Sequence, residues 1–304
     1  MTMATQNRIS VIGGANVDII ATYSTQPEAF SDSFQGQIST SAGGVARNIA
    51  ENLARMGSQV TFISAIGDDD LSTIITSAID HEHIDADACR LCTSSRSDTY
   101  LSLFDVRGEL LHAINQMRLI DSITPDYLSG YEAEITGSRL IVADCNLSAD
   151  SLDWLIRLPE RPRLFFDGVS SEKIKKLKGA LSLVDGLKCN HREAAELAGL
   201  SVTSSPSDVM DRLTGLGVNT VIQSLGPDGI LFSHMDERIH IPHQQTADNI
   251  VSVSGAGDAL FAGYLHGYSH GLSHHDALSL GVDAAQMTLG CASAVHPDIG
   301  IITS

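Results

Sequence analysis

Short apolar runs alternate with stretches of helical periodicity along most of the chain. Alternating strands and helices are typical of a mainly parallel sheet covered by helices on both faces, and we expect this α/β class here. Ligands of such sheets bind outside the carboxyl ends of the strands, where this chain carries its glycine-rich turns. The predicted strands are 11–12, 60–63, 140–143, 164–166, 187–188, 221–222 and 230–232, and the predicted helices are 45–56, 71–79, 151–158, 192–200 and 209–216.

Two segments interrupt this alternation. Residues 18–41 and 99–117 are rich in strand-forming residues and poor in helix signals, and the second contains a turn at Arg107-Gly108. We expect them to form a small β-sheet lid on a single domain that spans 1–304. Because a small exposed sheet offers edges for pairing, we also expect a homodimer formed through the lid.

Composition narrows the classes of function. The chain has 304 residues, a hydrophobic content of 43% and a net charge of −18. The acidic balance argues against a nucleic acid polymer as partner, because that requires Lys and Arg along a phosphate track. No apolar run reaches the roughly 18 residues of a membrane helix, and the N-terminus lacks a signal-peptide core, so we expect no membrane partner and a cytoplasmic location.

Cysteines and histidines give no metal pattern. The five cysteines lack zinc spacing, which favours reduced thiols. Four histidines cluster between 266 and 275, and we interpret them as a solvated helix end.

The segment 251–259 carries the strongest chemical signal. Gly255, Ala256 and Gly257 immediately precede apolar positions at helical spacing, so the turn lies at a helix N-terminus. Unpaired N–H groups and the helix dipole favour an anion there. Asp258, in the first helical turn, can accept a proton from a hydroxyl, which indicates phosphoryl transfer. The alternative is a carboxylate that serves only as an N-terminal helix charge.

Two earlier glycine turns carry groups suited to a polyol. Asn16 and Asp18 lie two residues apart, so they share one strand face and offer an amide and a carboxylate to vicinal hydroxyls. Gly43 and Gly44 open the helix 45–56, with Asn48 in its first turn. Such glycines can also serve only packing or capping, and the dinucleotide motif GxGxxG is absent.

Two further turns suit a nucleotide and its metal. Asn190 and Glu193 begin a helix, where they can hold a hydrated Mg²⁺ or simply cap the helix. Ser224, Gly226 and Gly229 lie in a turn between two strands, where backbone N–H groups can cradle a phosphate. The chain has no Walker A motif, so any phosphate hole is the 255–257 turn.

Taken in order, five motifs resemble the PfkB, or ribokinase-like, family of carbohydrate and nucleoside kinases. They are GGANVD at 13–18, AGGVARN at 42–48, NHRE at 190–193, SLGPDG at 224–229 and SGAGD at 254–258. The resemblance implies an ATP- and Mg²⁺-dependent kinase with Asp258 as base and Gly255–Gly257 as anion hole. It further implies Asn16, Asp18, Gly43, Gly44, Asn48 and Asn146 at the ribosyl group, Asn190 and Glu193 at Mg²⁺ and the phosphates, and Ser224, Gly226 and Gly229 at ATP.

Within the family, the stretches 100–103, 108–109, 113–115 and 142–146 resemble members that act on pseudouridine. This resemblance implies phosphorylation of the 5′-hydroxyl of that nucleoside. Tyr100, Ser102 and Asn115 are candidates for stacking on and hydrogen-bonding the uracil. Alternatively, Tyr100 and Ser102 only pack the lid strands. A ribokinase or another nucleoside kinase, and a non-catalytic binding protein on the same fold, remain alternatives.

Two positions depart from the family pattern. Many members carry an Asp six residues before the catalytic Asp as part of a monovalent-cation site, whereas this chain has Ser252, which argues against potassium activation. Gly168 follows Asp167 where Asp-Pro is frequent, and we expect this glycine to loosen the backbone and weaken a metal role for Asp167.

Overall fold

The computed structural model describes residues 8–26, 32–242 and 250–303. Its strands are, in chain order, β1 (Arg8–Ile12), β2 (Asn16–Tyr23), β3 (Gly36–Gly43), β4 (Gln59–Ile63), β5 (Ala65–Gly67), β6 (Arg90–Cys92), β7 (Thr99–Phe104), β8 (Leu110–Gln116), β9 (Leu140–Asp144), β10 (Arg163–Asp167), β11 (Gly186–Asn190), β12 (Thr220–Ser224), β13 (Ile230–His234) and β14 (Glu237–Ile241). Its α-helices are α1 (Val45–Arg55), α2 (Ser72–His81), α3 (Pro125–Ser129), α4 (Glu132–Thr136), α5 (Ala149–Arg157), α6 (His191–Ala198), α7 (Pro206–Gly215), α8 (Ala256–Ser269) and α9 (His274–Leu289).

Eight strands form the main sheet in the order β14-β13-β12-β11-β10-β9-β1-β4. The pairs from β4 to β12 are parallel, and β13 and β14 add two antiparallel strands at one edge. The predicted α/β class is therefore confirmed. The carboxyl ends of the six parallel strands meet at one edge, where the glycine turns emerge.

The hydrophobic core lies on both faces of this sheet. Along β9, Ile141 packs in one buried cluster with residues of α5, α6 and α7, whereas Val142 packs in a second cluster with residues of α1, α8 and α9. Both are fully buried. Strands covered on both faces have apolar residues at consecutive positions, which explains the short continuous apolar runs of the sequence.

A separate four-stranded sheet has the order β3-β2-β7-β8. Its strands come from the two segments expected to form a lid, of which 27–31 lie outside the described residues. The strands extend further than the prediction, because β2 begins at Asn16 and β3 ends at Gly43. The glycine turns of the main domain thus lead directly into the small sheet.

The prediction for the histidine cluster was wrong at two positions. His266 is buried and its Nδ1 lies 2.9 Å from Ser58 Oγ; burial lowers the pKa of His266 to about 4. The His274 ring stacks on Tyr268 with ring centroids 5.7 Å apart. The helical spacing that clusters these histidines also turns some of them toward the core.

Among the described residues, no helix is long and apolar enough to cross a membrane.

Candidate active site

The N-terminus of α8 has the geometry of an anion-binding site. Gly255 caps the helix with φ of 78°, and a Cβ there would collide with the carbonyl oxygen of Ala294. Only glycine fits this left-handed position. The helix begins at Ala256, so the first-turn N–H groups that follow have no acceptor within the helix. The turn therefore lies at a helix N-terminus, as predicted, and its role as a phosphate hole stays a prediction.

Asp258 is buried in the first turn of this helix. Its Oδ2 accepts a hydrogen bond of 2.7 Å from Asn48 Nδ2 on α1. Burial raises the pKa of Asp258 to about 7, although the nearby Lys188 ammonium and the Asn48 hydrogen bond both oppose the shift. A carboxylate with a pKa near neutrality is suited to take a proton from a hydroxyl.

Lys188 is a charged group at this site that the motif analysis missed. It lies buried on β11, and its Nζ forms an ion pair of 2.9 Å with Asp167 Oδ2. A Cβ on Gly257 would lie only 2.7 Å from the same Nζ. Burial lowers the pKa of Lys188, but the carboxylates of Asp167 and Asp258 outweigh it and raise the pKa above its usual value. A cation therefore lies against the anion-binding turn. The sequence feature that could have indicated Lys188 is a charged residue within a short apolar strand.

The first two glycine turns pack against each other. A Cβ on Gly44, whose φ is 98°, would lie 2.5 Å from the carbonyl oxygen of Gly14. Asn16 and Asp18 lie on one face of β2, as predicted, and Asn16 Nδ2 donates to Asp18 Oδ1 at 2.6 Å. The Asp18 carboxylate covers Gly43 so closely that no Cβ fits there. The turn sequences therefore place this carboxylate beside the opening of α1.

Arg47 lies between the Gly43 turn and Asn48, the hydrogen-bond partner of Asp258, and it forms an ion pair with Glu51 on the same helix. Its buried guanidinium donates to Asn48 Oδ1 and, at 3.1 Å, to the carbonyl oxygen of Gly43. Because the Asn48 oxygen is engaged by arginine, its Nδ2 is directed to Asp258. Burial raises the pKa of Asp18, and the charge of Arg47 opposes this rise, as it does at Asp258. The charge of the Arg47 guanidinium therefore acts to lower the pKa of both Asp18 and Asp258.

A row of polar side chains crosses the small sheet. Tyr100 pairs with Asp18 on one side and with Asn115 on the other, so all three share one face. Ser102 follows on the same face, but it is only 3% exposed and pairs with Ile20. Tyr100 and Asn115 are thus available beside Asp18, whereas Ser102 contributes to packing.

Asn146 lies buried in the loop after β9. A Cβ on Gly14 would lie 2.8 Å from its Nδ2, which places its amide against the first glycine turn.

A cavity of about 410 Å³ joins two motifs that are well separated in the sequence. Its lining includes Ser224, Gly226 and Gly229 from one motif and Ala256 and Gly257 from the other. Its walls are mostly apolar, which is typical of a small-molecule pocket with a few polar groups.

Asn190 and Glu193 do not line this cavity. They form a reciprocal helix cap: Asn190 Oδ1 accepts from the Glu193 N–H at 2.9 Å, and Glu193 Oε2 accepts from the Asn190 N–H at 2.9 Å. Burial, together with the nearby Asp167, raises the pKa of Glu193. The described residues contain no cluster of three or more His, Cys, Asp or Glu side chains that could hold a metal. Asn190 Nδ2 also donates to Glu193 Oε1 at 2.7 Å. Mg²⁺ commonly keeps several waters and uses few carboxylates, so a metal role for this pair requires binding through water and stays a prediction.

The backbone at Gly168 is not loosened, contrary to the expectation. The Gly168 N–H donates to the carbonyl oxygen of Lys188 at 3.0 Å, and Asp167 Oδ1 accepts from the Val169 N–H at 2.8 Å. A Cβ on Gly168 would lie 2.7 Å from Ile174 Cδ1. Tight packing therefore fixes the turn that carries Asp167.

Comparison with known proteins gave a family match over nearly the whole chain. The model of the pfkB family carbohydrate kinases matches residues 6–299. Pseudouridine kinase of Escherichia coli strain K12 is 32% identical over 302 residues, covering 98% of this chain and 96% of that protein. A carbohydrate kinase from Agrobacterium tumefaciens has a TM-score of 0.81 at 26% identity, covering 98% and 96% of the two chains. Arabidopsis thaliana ribokinase, solved with ribose and ATP, has a TM-score of 0.84 at 17% identity, covering 98% and 99%.

Proposed function

The chain belongs to the pfkB family of carbohydrate kinases, and we propose that it transfers the γ-phosphoryl group of ATP to the 5′-hydroxyl of pseudouridine. The products are pseudouridine 5′-phosphate and ADP. The observation that carries the chemistry is the buried Asp258 beside an anion-binding turn, with a pKa near 7. The choice of nucleoside rests on the 32% identical Escherichia coli relative.

Asp258 is the general base in this proposal. Its carboxylate takes the proton of the acceptor hydroxyl while that oxygen bonds to the γ-phosphorus and the bond to the bridging β-phosphate oxygen breaks. Asn48 holds the carboxylate through the 2.7 Å hydrogen bond. The free N–H groups at the start of α8 and the ammonium of Lys188 stabilise the charge on the transferred group.

The acceptor binds between the small sheet and the opening of α1. Asp18 and Asn16 hold the ribosyl hydroxyls, and the glycine contacts at 43–44 let the sugar approach the backbone. Tyr100 and Asn115 lie one and two strands away on the same face, where a base joined to that sugar can be stacked and hydrogen-bonded.

The donor nucleotide occupies the 410 Å³ cavity, with its phosphates toward Gly257. Ser224, Gly226 and Gly229 also line this cavity. Glu193 would hold hydrated Mg²⁺ through water, with Asn190 beside it as its helix-capping partner. When bound, Mg²⁺ neutralises charge on the β- and γ-phosphates.

The small sheet acts in this proposal as a lid and as the contact for a second copy of the chain. Its face opposite Asp18 exposes Ile38, Leu101 and Ile114, with exposed fractions of 75%, 38% and 68%. Burying such a patch between two copies removes apolar surface from water. Light scattering on the purified protein is expected to give twice the chain mass, and a single chain mass refutes the dimer.

The decisive experiment measures ADP release with Mg²⁺-ATP and, in parallel, pseudouridine, uridine, ribose or no acceptor. We expect strong turnover with pseudouridine, and phosphorus NMR of the product should place the phosphate on the 5′-oxygen. Preference for ribose or uridine would retain the kinase and reject the substrate. No turnover with any acceptor would support a non-catalytic binding protein on this fold.

A further inference from the structure

The carboxylate of Asp144 lies at the carboxyl end of β9, between β10 and β1 in the main sheet, and is fully buried. Its Oδ2 accepts from the Gly14 N–H at 3.0 Å, from the Ala46 N–H at 3.0 Å and from Asn146 Nδ2 at 2.9 Å. Its Oδ1 accepts from the Asn146 N–H at 2.8 Å. One side chain therefore holds the first glycine turn, the start of α1 and the loop after β9.

These contacts leave the surrounding backbone little freedom. A Cβ on Gly13 would lie 2.5 Å from Asp144 Cγ, so the turn closes directly over the carboxylate. Hydrogen bonds to an ionised acceptor are about twice as strong as neutral ones. Because burying a charge is costly unless it is fully hydrogen-bonded, the four donors are held in a fixed geometry.

Asn146 is fixed from both ends of its amide. Its Nδ2 donates to Asp144 Oδ2, and its Oδ1 accepts from Lys173 Nζ at 2.5 Å. Rotating the amide by half a turn would set nitrogen against the lysine and oxygen against the carboxylate. The group next to Gly14 is therefore always the amide nitrogen.

We infer that Asp144 is a positioning residue for the acceptor: it sets Asn146 and the two glycine turns in register without itself touching a substrate. The inference rests on the proposed function, together with the place of Asn146 at the ribosyl group that the family resemblance implies. Gly13 packs directly on the carboxyl group of Asp144 and donors of the chain engage both of its oxygens, so Asp144 acts through these groups. A displacement of about 1 Å at a positioning group can reduce a rate about 100-fold.

Asp144→Asn tests this role with minimal change of shape. Both oxygens of Asp144 accept hydrogen bonds, so in either orientation the NH₂ group of the new amide faces at least one donor and that hydrogen bond is lost. We expect the KM for the acceptor to rise about 10-fold or more and kcat to fall, with the KM for ATP within about twofold of wild type. Faster hydrogen exchange at the Gly14 and Ala46 amides is the accompanying structural readout.

Asp185→Asn is the matched control. Asp185 also accepts a backbone N–H, that of Leu164 at 3.0 Å, but it precedes β11 at the opposite end of the strands. We expect this control to lower the unfolding temperature while leaving both KM values unchanged. Equal kinetic losses in the two variants, or an unchanged acceptor KM in Asp144→Asn, would overturn the inference.

Gly14→Ala is a second variant in case Asp144→Asn does not fold. Its new Cβ would lie 2.8 Å from Asn146 Nδ2 and should raise the acceptor KM by displacing the same amide. The acceptor panel on wild-type protein separates the two hypotheses. If ribose is the acceptor, the comparison is repeated with ribose. If nothing is phosphorylated, the proposed function fails, and unchanged amide exchange in Asp144→Asn would then reject the positioning role as well.

Discussion

Replacing Asp258 with Asn removes the base and the buried charge while keeping the side-chain shape. A positioned general base contributes about 10²- to 10⁴-fold, so kcat should fall by that range. Nucleoside affinity should change little, because the amide keeps the size of the carboxylate.

The same substitution has a calculable effect on stability. The pKa of Asp258 rises from 3.8 to about 7 on folding. A group whose pKa is raised in the folded state contributes stability below its unfolded pKa and loses it as the pH rises through the folded value. At 1.36 kcal/mol per pH unit, the loss in wild type between pH 5 and pH 8 is about 3 kcal/mol. The amide that Asp258→Asn introduces does not titrate, so the variant avoids this loss.

Urea denaturation of both proteins at pH 5 and pH 8 measures this effect, and ADP release measures the kinetic one. The variant should gain stability relative to wild type as the pH increases. A stability difference that stays constant with pH refutes the raised pKa, and a kcat within tenfold of wild type refutes the base.

Other substitutions test the neighbours of Asp258. Lys188→Met should lower kcat about 100-fold, as loss of one transition-state donor does, and should move the acidic limb of the kcat profile to higher pH. Asn48→Ala should shift that limb upward by about one unit, because it removes a hydrogen bond to the carboxylate. Asp18→Asn should raise the acceptor KM about 10-fold without changing the KM for ATP. Replacing K⁺ by Na⁺ should leave kcat unchanged, since Ser252 replaces the acidic residue of a cation site; strong activation by K⁺ would contradict this interpretation.

Local patterns were sufficient for the fold class and for placing the Gly255–Gly257 turn at a helix N-terminus. The helix predicted at 45–56 ends at Arg55 in the structure, and the strand predicted at 140–143 ends at Asp144. The turn before Asp258 was recognisable because glycine at a helix N-terminus has a local cause. Functional roles of the predicted site residues remain predictions.

Contacts between segments that are distant along the chain could not be predicted from the sequence. Nothing in the GGVARN motif shows that Arg47 orients Asn48 toward a carboxylate 210 positions away. Ser102 fits the alternation of its strand, but its burial depends on what packs over the small sheet.

The alternating elements, the glycine turns and the order of the motifs could be read from the chain alone, because hydrophobic periodicity and backbone sterics act over a few residues. The partners of the charged groups became visible only in the fold: Lys188 pairs with Asp167, Arg47 pairs with Glu51 and contacts Asn48, and Asp144 accepts from Gly14 and from the start of α1. The physical reason is that a pKa or a buried hydrogen bond depends on burial and on neighbours in space, which the chain supplies from remote strands once it has folded.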